Sequence, residues 1–408
     1  MPVNAGDTAW LLVSAALVML MTPGLAFFYG GMVRRKNLLS TLMMSFVMLG
    51  IGGLVWVLWG YSLSFGSDAG GFIGGLDFIG LNGVGQAASA TYATTVPHLA
   101  FMAYQGMFAI ITVALITGAV VERIRFSTLL VFSVLWLTLI YAPVAHWIWG
   151  GGWLAKLGVL DFAGGAVVHI NAGVSALALV LLLGKRKGFP GDAMEPNNVP
   201  LVLLGAGLLW FGWFGFNAGS ALSSGGLAAS AFVATNTAAA AAGLTWMFLS
   251  WRNRKPAVLG TVTGAVIGLV AITPAAGYVH PLAGIPIGVI ASGISYYSLL
   301  FLKTRLKLDD SLDVFACHGM GGIWGAIATG IFATASVAGF SGAVDGNWAQ
   351  VGKQLLSVLA VGGYAFVGSL ILGKVLDKVI GLRVKPVEEL VGLDIAQHGE
   401  RAYGGLMR

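Results

Sequence analysis

Eleven apolar runs, most about 20 residues long and joined by short polar connections, constrain this chain more than any other feature. They fall at roughly 9–32, 40–64, 98–121, 127–147, 161–183, 200–218, 227–251, 257–278, 284–302, 312–333 and 349–376. Unbroken runs of that length cross hydrocarbon as α-helices, whereas barrel strands need only about ten residues with alternating faces. Only 9% of the residues are charged and 57% are hydrophobic, against about 25% charged in soluble domains. A soluble globule has no place to hide that much apolar surface. The 61 glycines suit helices that approach closely in lipid through small side chains. The expected fold is an all-α, multi-pass membrane protein.

The charges that remain set its orientation. Arg34, Arg35 and Lys36 follow the first run; Arg123 and Arg125 follow the third; Lys185, Arg186 and Lys187 follow the fifth. Arg252, Arg254 and Lys255 follow the seventh, and Lys303, Arg305 and Lys307 the ninth. Of 22 Lys and Arg only Lys156 and Lys353 fall on the opposite side. The positive-inside rule therefore places the N-terminus outside and the C-terminus in the cytoplasm, as an odd number of spans requires. The net charge of +6 belongs to topology and not to a nucleic-acid partner. Cys317 is the one cysteine, so no internal disulfide framework exists. The opening MPVNAGDTAW has no basic segment before its apolar run, which is read as a true span and not as a cleaved signal peptide.

Eleven spans divide as five, five and one. The transmembrane region is expected over 1–378, with a first half at 1–190, a second at 191–335 and an eleventh helix at 336–378. Residues 379–408 form a polar tail. Each half ends in a span holding a histidine, His169 in DFAGGAVVH and His318 in DVFACH, and both begin near an aspartate. A half with an odd number of spans inverts its successor, so the two histidine helices run oppositely, as in inverted-repeat transporters with sites near the midplane. At 1.5 Å per residue, His169 lies roughly 12 Å and His318 roughly 10 Å from the start of its span, toward the middle third of the core.

One membrane histidine can be a packing residue; two at matched positions in opposed helices point to a pathway. No Lys, Arg, Asp or Glu sits deep in any span, and the acids Glu122, Asp161 and Asp313 lie at span ends. An ion pump or sodium-coupled carrier usually needs carboxylates at depth, and a metal site needs more ligands than two histidines and one thiol. An apolar path with imidazoles bars a bare ion but admits a small neutral molecule that hydrogen-bonds. Trp147 and Trp149, Tyr104 and Phe108, and Trp213, Phe214 and Phe216 gather toward the outer ends of their spans. They read either as an interfacial belt or as a cage whose ring faces attract a cation. Asp161 stands where a helix N-cap would accept free backbone amides, a role compatible with attracting a cation.

The motifs YAPVAHWIWGGG, LDFAGGAVVHINAG, WFGWFGFNAGS and DVFACHGMGGIWG, in this order, resemble the Amt ammonium transporter family. TPGLAFFYGGMVRRKN, VVERIRF and the tail segment GLDIAQHGERAY extend the resemblance over the whole chain. It implies a homotrimer in which each subunit has its own pore. By motif position, Trp149, Phe108 and Ser220 would recruit NH4+ on the outer side, beside the structurally essential Asp161. Phe108 and Phe216 would form a stacked gate, with His169 and His318 paired in the pore and Trp213 lining it. Tyr104 stands where the family often has Phe, which would leave the vestibule aromatic. The tail would communicate between subunits and meet a PII-type signalling protein on the cytoplasmic face of the cell's inner membrane.

The expected function is transport of ammonium, as NH3 with or without a separate proton. Potassium matches ammonium in size and charge, so selectivity would come from deprotonation, which only ammonium can undergo. The alternative is an ammonium sensor on the same fold, disfavoured because only about 30 residues follow the last span, too few for a signalling domain. Enzyme chemistry is not expected, since no nucleophile–base set or metal cluster appears, and no cofactor is implied.

Overall fold

The computed structural model describes residues 2–253 and 255–403; Arg254 of the seventh-span basic cluster and tail residues 404–408 lie outside the described residues. Among the described residues, ten helices are long and apolar enough to cross a membrane: Ala5–Met32, Arg35–Phe65, His98–Val120, Phe126–Lys156, Gly165–Leu183, Val199–Ala221, Gly226–Asn253, Pro281–Thr304, Phe315–Phe332 and Ala349–Ile380. A shorter apolar helix, Val258–Ile272, lies between the seventh and eighth of these. Counted in chain order, these are spans 1 to 11.

Three expected spans are longer than the helices found. The eighth was expected over 257–278, but its helix ends at Ile272 and residues 273–278 turn. Pro274 has no amide to continue the ladder, and its ring is packed where a side chain on Gly165 would stand. The fifth and tenth start at Gly165 and Phe315 rather than 161 and 312. The residues ahead of them fold back to cap the helix instead of extending it.

Small residues set the packing. A Cβ on Gly205 would lie 2.3 Å from the amide nitrogen of Phe28, and one on Gly31 2.6 Å from the carbonyl of Asn198. Spans 1 and 6 therefore touch backbone to backbone, the mode that lipid-embedded helices use in place of a hydrophobic driving force. Spans 5 and 10 cross the same way. A Cβ on Gly173 would meet the Gly319 nitrogen at 2.2 Å, and one on Gly322 would meet the His169 Cβ and Ile170 Cγ1 at 3.1 Å. Gly173 lies four residues after His169 and Gly322 four after His318. Each thus contacts the histidine turn of the other helix, and the contacts run in opposite chain directions, as an inverted pair requires.

At the end where the basic clusters gather, charges are buried but paired. Glu122 accepts from Arg34 Nε at 3.1 Å, Asn37 Nδ2 at 2.9 Å and Arg186 Nη1 at 2.9 Å. Asp309 takes the Nε–Nη2 edge of Arg186 in a two-pronged pair, at 3.0 and 2.7 Å. Arg123, fully buried, donates to the Asp309 carbonyl and the Ser311 hydroxyl, both at 2.5 Å. A buried charge is tolerable only with such partners. The tail docks on this cluster. Two short helices, Pro386–Val391 and Leu393–His398, bring Asp394 to the Ser40 amide at 2.8 Å and Glu389 to the Lys187 amide at 2.6 Å. At the opposite end, the Gly-rich stretch between spans 2 and 3 contains two small antiparallel hairpins, Asp68–Ala69 with Ile73–Gly74 and Ala88–Ser89 with Ala93–Pro97.

Candidate functional site

The site is built around the lead-in to span 5. Asp161 accepts four successive amides: Gly164 at 2.9 Å and Gly165 at 2.6 Å on one carboxylate oxygen, Ala166 at 2.8 Å and Val167 at 3.1 Å on the other. These are the four donors that every helix start leaves orphaned, so the expected capping role is what the geometry gives. Gly164 makes the turn possible: its φ is 116°, and a Cβ there would lie 2.5 Å from Val168 Cγ2. The helix then opens with a π-helical turn, Gly165–Ile170, and span 10 opens likewise at Phe315–Gly319. His169 and His318 occupy these turns, a setting that recurs at functional sites. Because the helices start at Gly165 and Phe315, a rise of about 1.5 Å per residue does not hold over the residues ahead of them. The histidines are deep because the capped helix starts are themselves buried.

Asp310, rather than Asp313, is the counterpart of Asp161. It lies eight residues before His318, as Asp161 does before His169, and accepts the Phe315 amide at 2.7 Å. Asp313 instead pairs with Lys303 at 2.7 Å.

The two imidazoles meet edge to edge. His318 Nδ1 and His169 Nδ1 are 3.2 Å apart, with ring planes 15° from parallel. Such a contact holds one proton: one nitrogen donates and the other accepts. Trp213 stacks on His169 at 5.4 Å and is fixed by its indole donating to Thr273 Oγ1 at 2.9 Å. His169 Nε2 is buried with no hydrogen-bond partner among the described residues. Both rings line a cavity whose other walls are apolar, Met21, Leu25, Leu209 and Phe216 among them, with a volume of ≈ 10 Å³, room for about one water-sized molecule.

Cavities flank it on both sides. Toward the hairpin end, Phe108, Trp149, Asp161 and Ser220 line a vestibule of ≈ 330 Å³ together with Phe101, Gln105 and Tyr278. Phe108 and Phe216, ring centroids 4.3 Å apart, stand between this vestibule and the histidine cavity. Trp149 meets Phe108 edge-on at 5.8 Å and donates to the Asp161 carbonyl at 2.9 Å. Toward the basic end, His318 also lines a cavity of ≈ 140 Å³ with Tyr29, Asp313 and Cys317. The three spaces lie in series along the molecule.

All the expected site residues thus fall in one track, but Tyr104 does not line its vestibule. It is fully buried, and its hydroxyl sits 2.9 Å from the Gly215 and Phe216 carbonyls and 3.2 Å from Ser220 Oγ. A hydroxyl wants a partner when buried, and Tyr104 finds it in the backbone that carries Phe216 and Ser220. Sequence reasoning missed Gln354, Thr273 and Asp310. The equal eight-residue spacing to the histidines was the signal available for Asp310.

Comparison with known proteins gives the lineage. Residues 9–403 match the model of the Ammonium Transporter Family. The chain is 51% identical over 398 residues to ammonium transporter Amt1 of Archaeoglobus fulgidus, covering 98% of this chain and 99% of that protein. The crystal structure of Candida albicans Mep2 superposes with a TM-score of 0.90 at 40% identity, over 98% of this chain and 90% of that one. A solved structure described as a sensor Amt protein superposes with a TM-score of 0.89 at 32% identity, over 96% of this chain and 98% of that one.

Proposed function

We propose that this chain, which belongs to the ammonium transporter family, takes NH4+ at the hairpin end, strips its proton and passes NH3 through the paired-histidine cavity. The protein is a multi-pass membrane transporter and not an enzyme. The observation that carries the mechanism is the Nδ1–Nδ1 contact of His169 and His318 inside a cavity with room for about one small molecule.

In this reading Trp149 and Phe108 offer ring faces and Ser220 a hydroxyl to the cation. Asp161 acts through the helix start: its charge is bound by four amides, so it fixes the vestibule wall and the histidine turn instead of pairing with the substrate. Phe108 and Phe216 exclude hydrated ions, and a cation leaving water for the apolar space beyond them meets a large desolvation penalty. Ammonium escapes it by shedding a proton; potassium has none to shed. Whichever way the shared proton lies between the imidazoles, moving it reverses donor and acceptor at both rings, so the pair can relay a proton as well as hold ammonia. The vestibule end faces outside and the tail end faces the cytoplasm of the plasma membrane. The working unit is a homotrimer with one pore per subunit, and the tail face is where a PII-type regulator would bind.

The test is current recorded on reconstituted protein after an ammonium jump. Wild type is expected to conduct, and the His169→Leu/His318→Leu double variant to lose at least about tenfold of the proton-coupled current. A double variant that keeps its current and still rejects potassium would sink the mechanism. Ammonium binding by wild type without any flux would favour the sensor reading, for which the likeness to the sensor Amt structure is the supporting observation.

A further inference from the structure

Span 11 stands outside the two five-span halves, yet one of its side chains reaches the segment that leads into the site. Gln354 is 1% exposed, and its amide is fully engaged. Its oxygen accepts the Leu160 amide at 2.9 Å, and its nitrogen donates to the Leu160 carbonyl at 2.7 Å and the Ala326 carbonyl at 3.2 Å. Gln350, one turn earlier, donates to the Gly158 carbonyl at 3.0 Å and the Gln354 oxygen at 3.2 Å. Leu160 immediately precedes Asp161, and Ala326 belongs to span 10. The Gln354 amide therefore pairs with the residue before Asp161 as a neighbouring strand would, and ties it to the helix that carries His318.

We infer that Gln354 is a positioning residue for the cation vestibule. Residues 157–159 still bond back to the short helix Trp153–Lys156, but the segment 160–164 lies outside helix and sheet, so a buried peptide such as Leu160 must find its hydrogen bonds elsewhere. Gln354 supplies both, and thereby sets where Asp161 stands. Asp161 in turn sets two things: its carbonyl holds the Trp149 indole, and its carboxylate fixes the first turn of span 5. Gln354 touches neither the vestibule nor the histidine cavity, so it acts only through these groups. Span 10 approaches closely enough for this because Gly330 faces Gln354, where a Cβ would lie 3.0 Å from its Cγ. The eleventh helix thus acts as a clamp that sets the lead-in of one histidine span against the other.

This inference rests on the vestibule being where the cation binds, and the experiment separates the two. Transport current is measured against ammonium concentration, normalised to folded protein, for wild type, Gln354→Met, Gln354→Glu, Gln350→Met and Trp149→Leu. Gln354→Met removes all four contacts of the amide; Gln354→Glu keeps the acceptor for Leu160 and Gln350 and loses the donors. The half-saturating concentration is expected to rise at least about fivefold in Gln354→Met, less in Gln354→Glu, and least in Gln350→Met, with maximal current within about twofold of wild type. Hydrogen exchange at amides 164–167 is expected to quicken in the same order, a readout that does not need transport if Gln354→Met assembles poorly. A rise in Trp149→Leu without one in Gln354→Met, or unchanged exchange, overturns the positioning role alone. An unchanged half-saturation in Trp149→Leu overturns the vestibule reading beneath it. A loss in Gln354→Met confined to protein yield, with unaltered half-saturation, reduces Gln354 to a structural residue and also overturns the inference.

Discussion

Single residues show what a pattern of letters conveys and what it hides. Asp161 was legible as a cap because an acid before an apolar run answers a general need of helix starts. Its companion was misread: Asp313 is the nearest aspartate to His318, but Asp310 accepts the helix amide at 2.7 Å. Proximity in sequence is a poor guide where the chain turns, and Asp313 sits in a turn with φ of 61°. Tyr104 was legible as an aromatic beside Phe108 but not as a buried strut, because periodicity does not say which ring faces a cavity. The glycines of the crossing carry a prediction that belongs at this scale. Gly173→Ala would put a Cβ 2.2 Å from a backbone nitrogen, where no rotamer relieves the clash. Spans 5 and 10 must separate, so thermal unfolding in detergent should show a loss of ~1–3 kcal/mol and transport should fall with it. Gly293→Ala, with open space around its Cβ, is the control and should leave both unchanged.

At the level of elements, hydropathy located every span, because lipid leaves a backbone no choice but to satisfy itself within a helix. It could not locate where a buried helix starts. The residues before Gly165 and Phe315 run straight into the apolar helices they precede, and only their hydrogen bonds reveal that they fold back. The start of span 10 has a pH signature. Burial pushes the Asp310 carboxyl up to about 6 from 3.8, and Asp313 beside it adds to the rise. A group whose folded value is raised stabilises the fold while protonated, so this contribution is complete below about pH 4 and is lost as pH rises through about 6. Asp310→Asn stays neutral and can still accept the Phe315 amide. Its melting temperature should therefore gain on wild type between pH 4 and 7, by up to ~3 kcal/mol of stability. Acids that do not interact with Asp310, such as Glu122, whose carboxyl is held low by Arg186 and Arg34 against its burial, titrate alike in both proteins and cancel in the comparison. Parallel melting curves across that range would show that Asp310 is already charged in the fold.

For the whole molecule, the arrangement of charges and the order of the cavities make one argument. Basic residues from three clusters far apart in sequence come together in the fold: Arg34, Arg123 and Arg186 share the network on which the tail docks, and Arg383 of the tail pairs with Glu389 beside it. The two exceptions gather at the other end. Lys156 pairs with Asp68 of the first hairpin, and Lys353 Nζ lies 3.1 Å from where a Gly158 Cβ would stand, beside the lead-in to the vestibule. The molecule is therefore polarised, with the aromatic vestibule at its charge-poor end and the His318-lined cavity opening toward its basic end. If the positive-inside rule governs insertion, ammonium meets the aromatic vestibule from outside and ammonia is released where the tail can respond to it. Cysteine labelling decides this. Cys317→Ala removes the native thiol; Asn82→Cys marks the exposed loop at the hairpin end, and Lys185→Cys the exposed loop at the basic end. A membrane-impermeant maleimide added to intact cells should label Asn82→Cys and spare Lys185→Cys until the membrane is permeabilised. The reverse pattern would place the tail outside, and the ring faces of Trp149 and Phe108 would then receive ammonium leaving the cell instead of entering it.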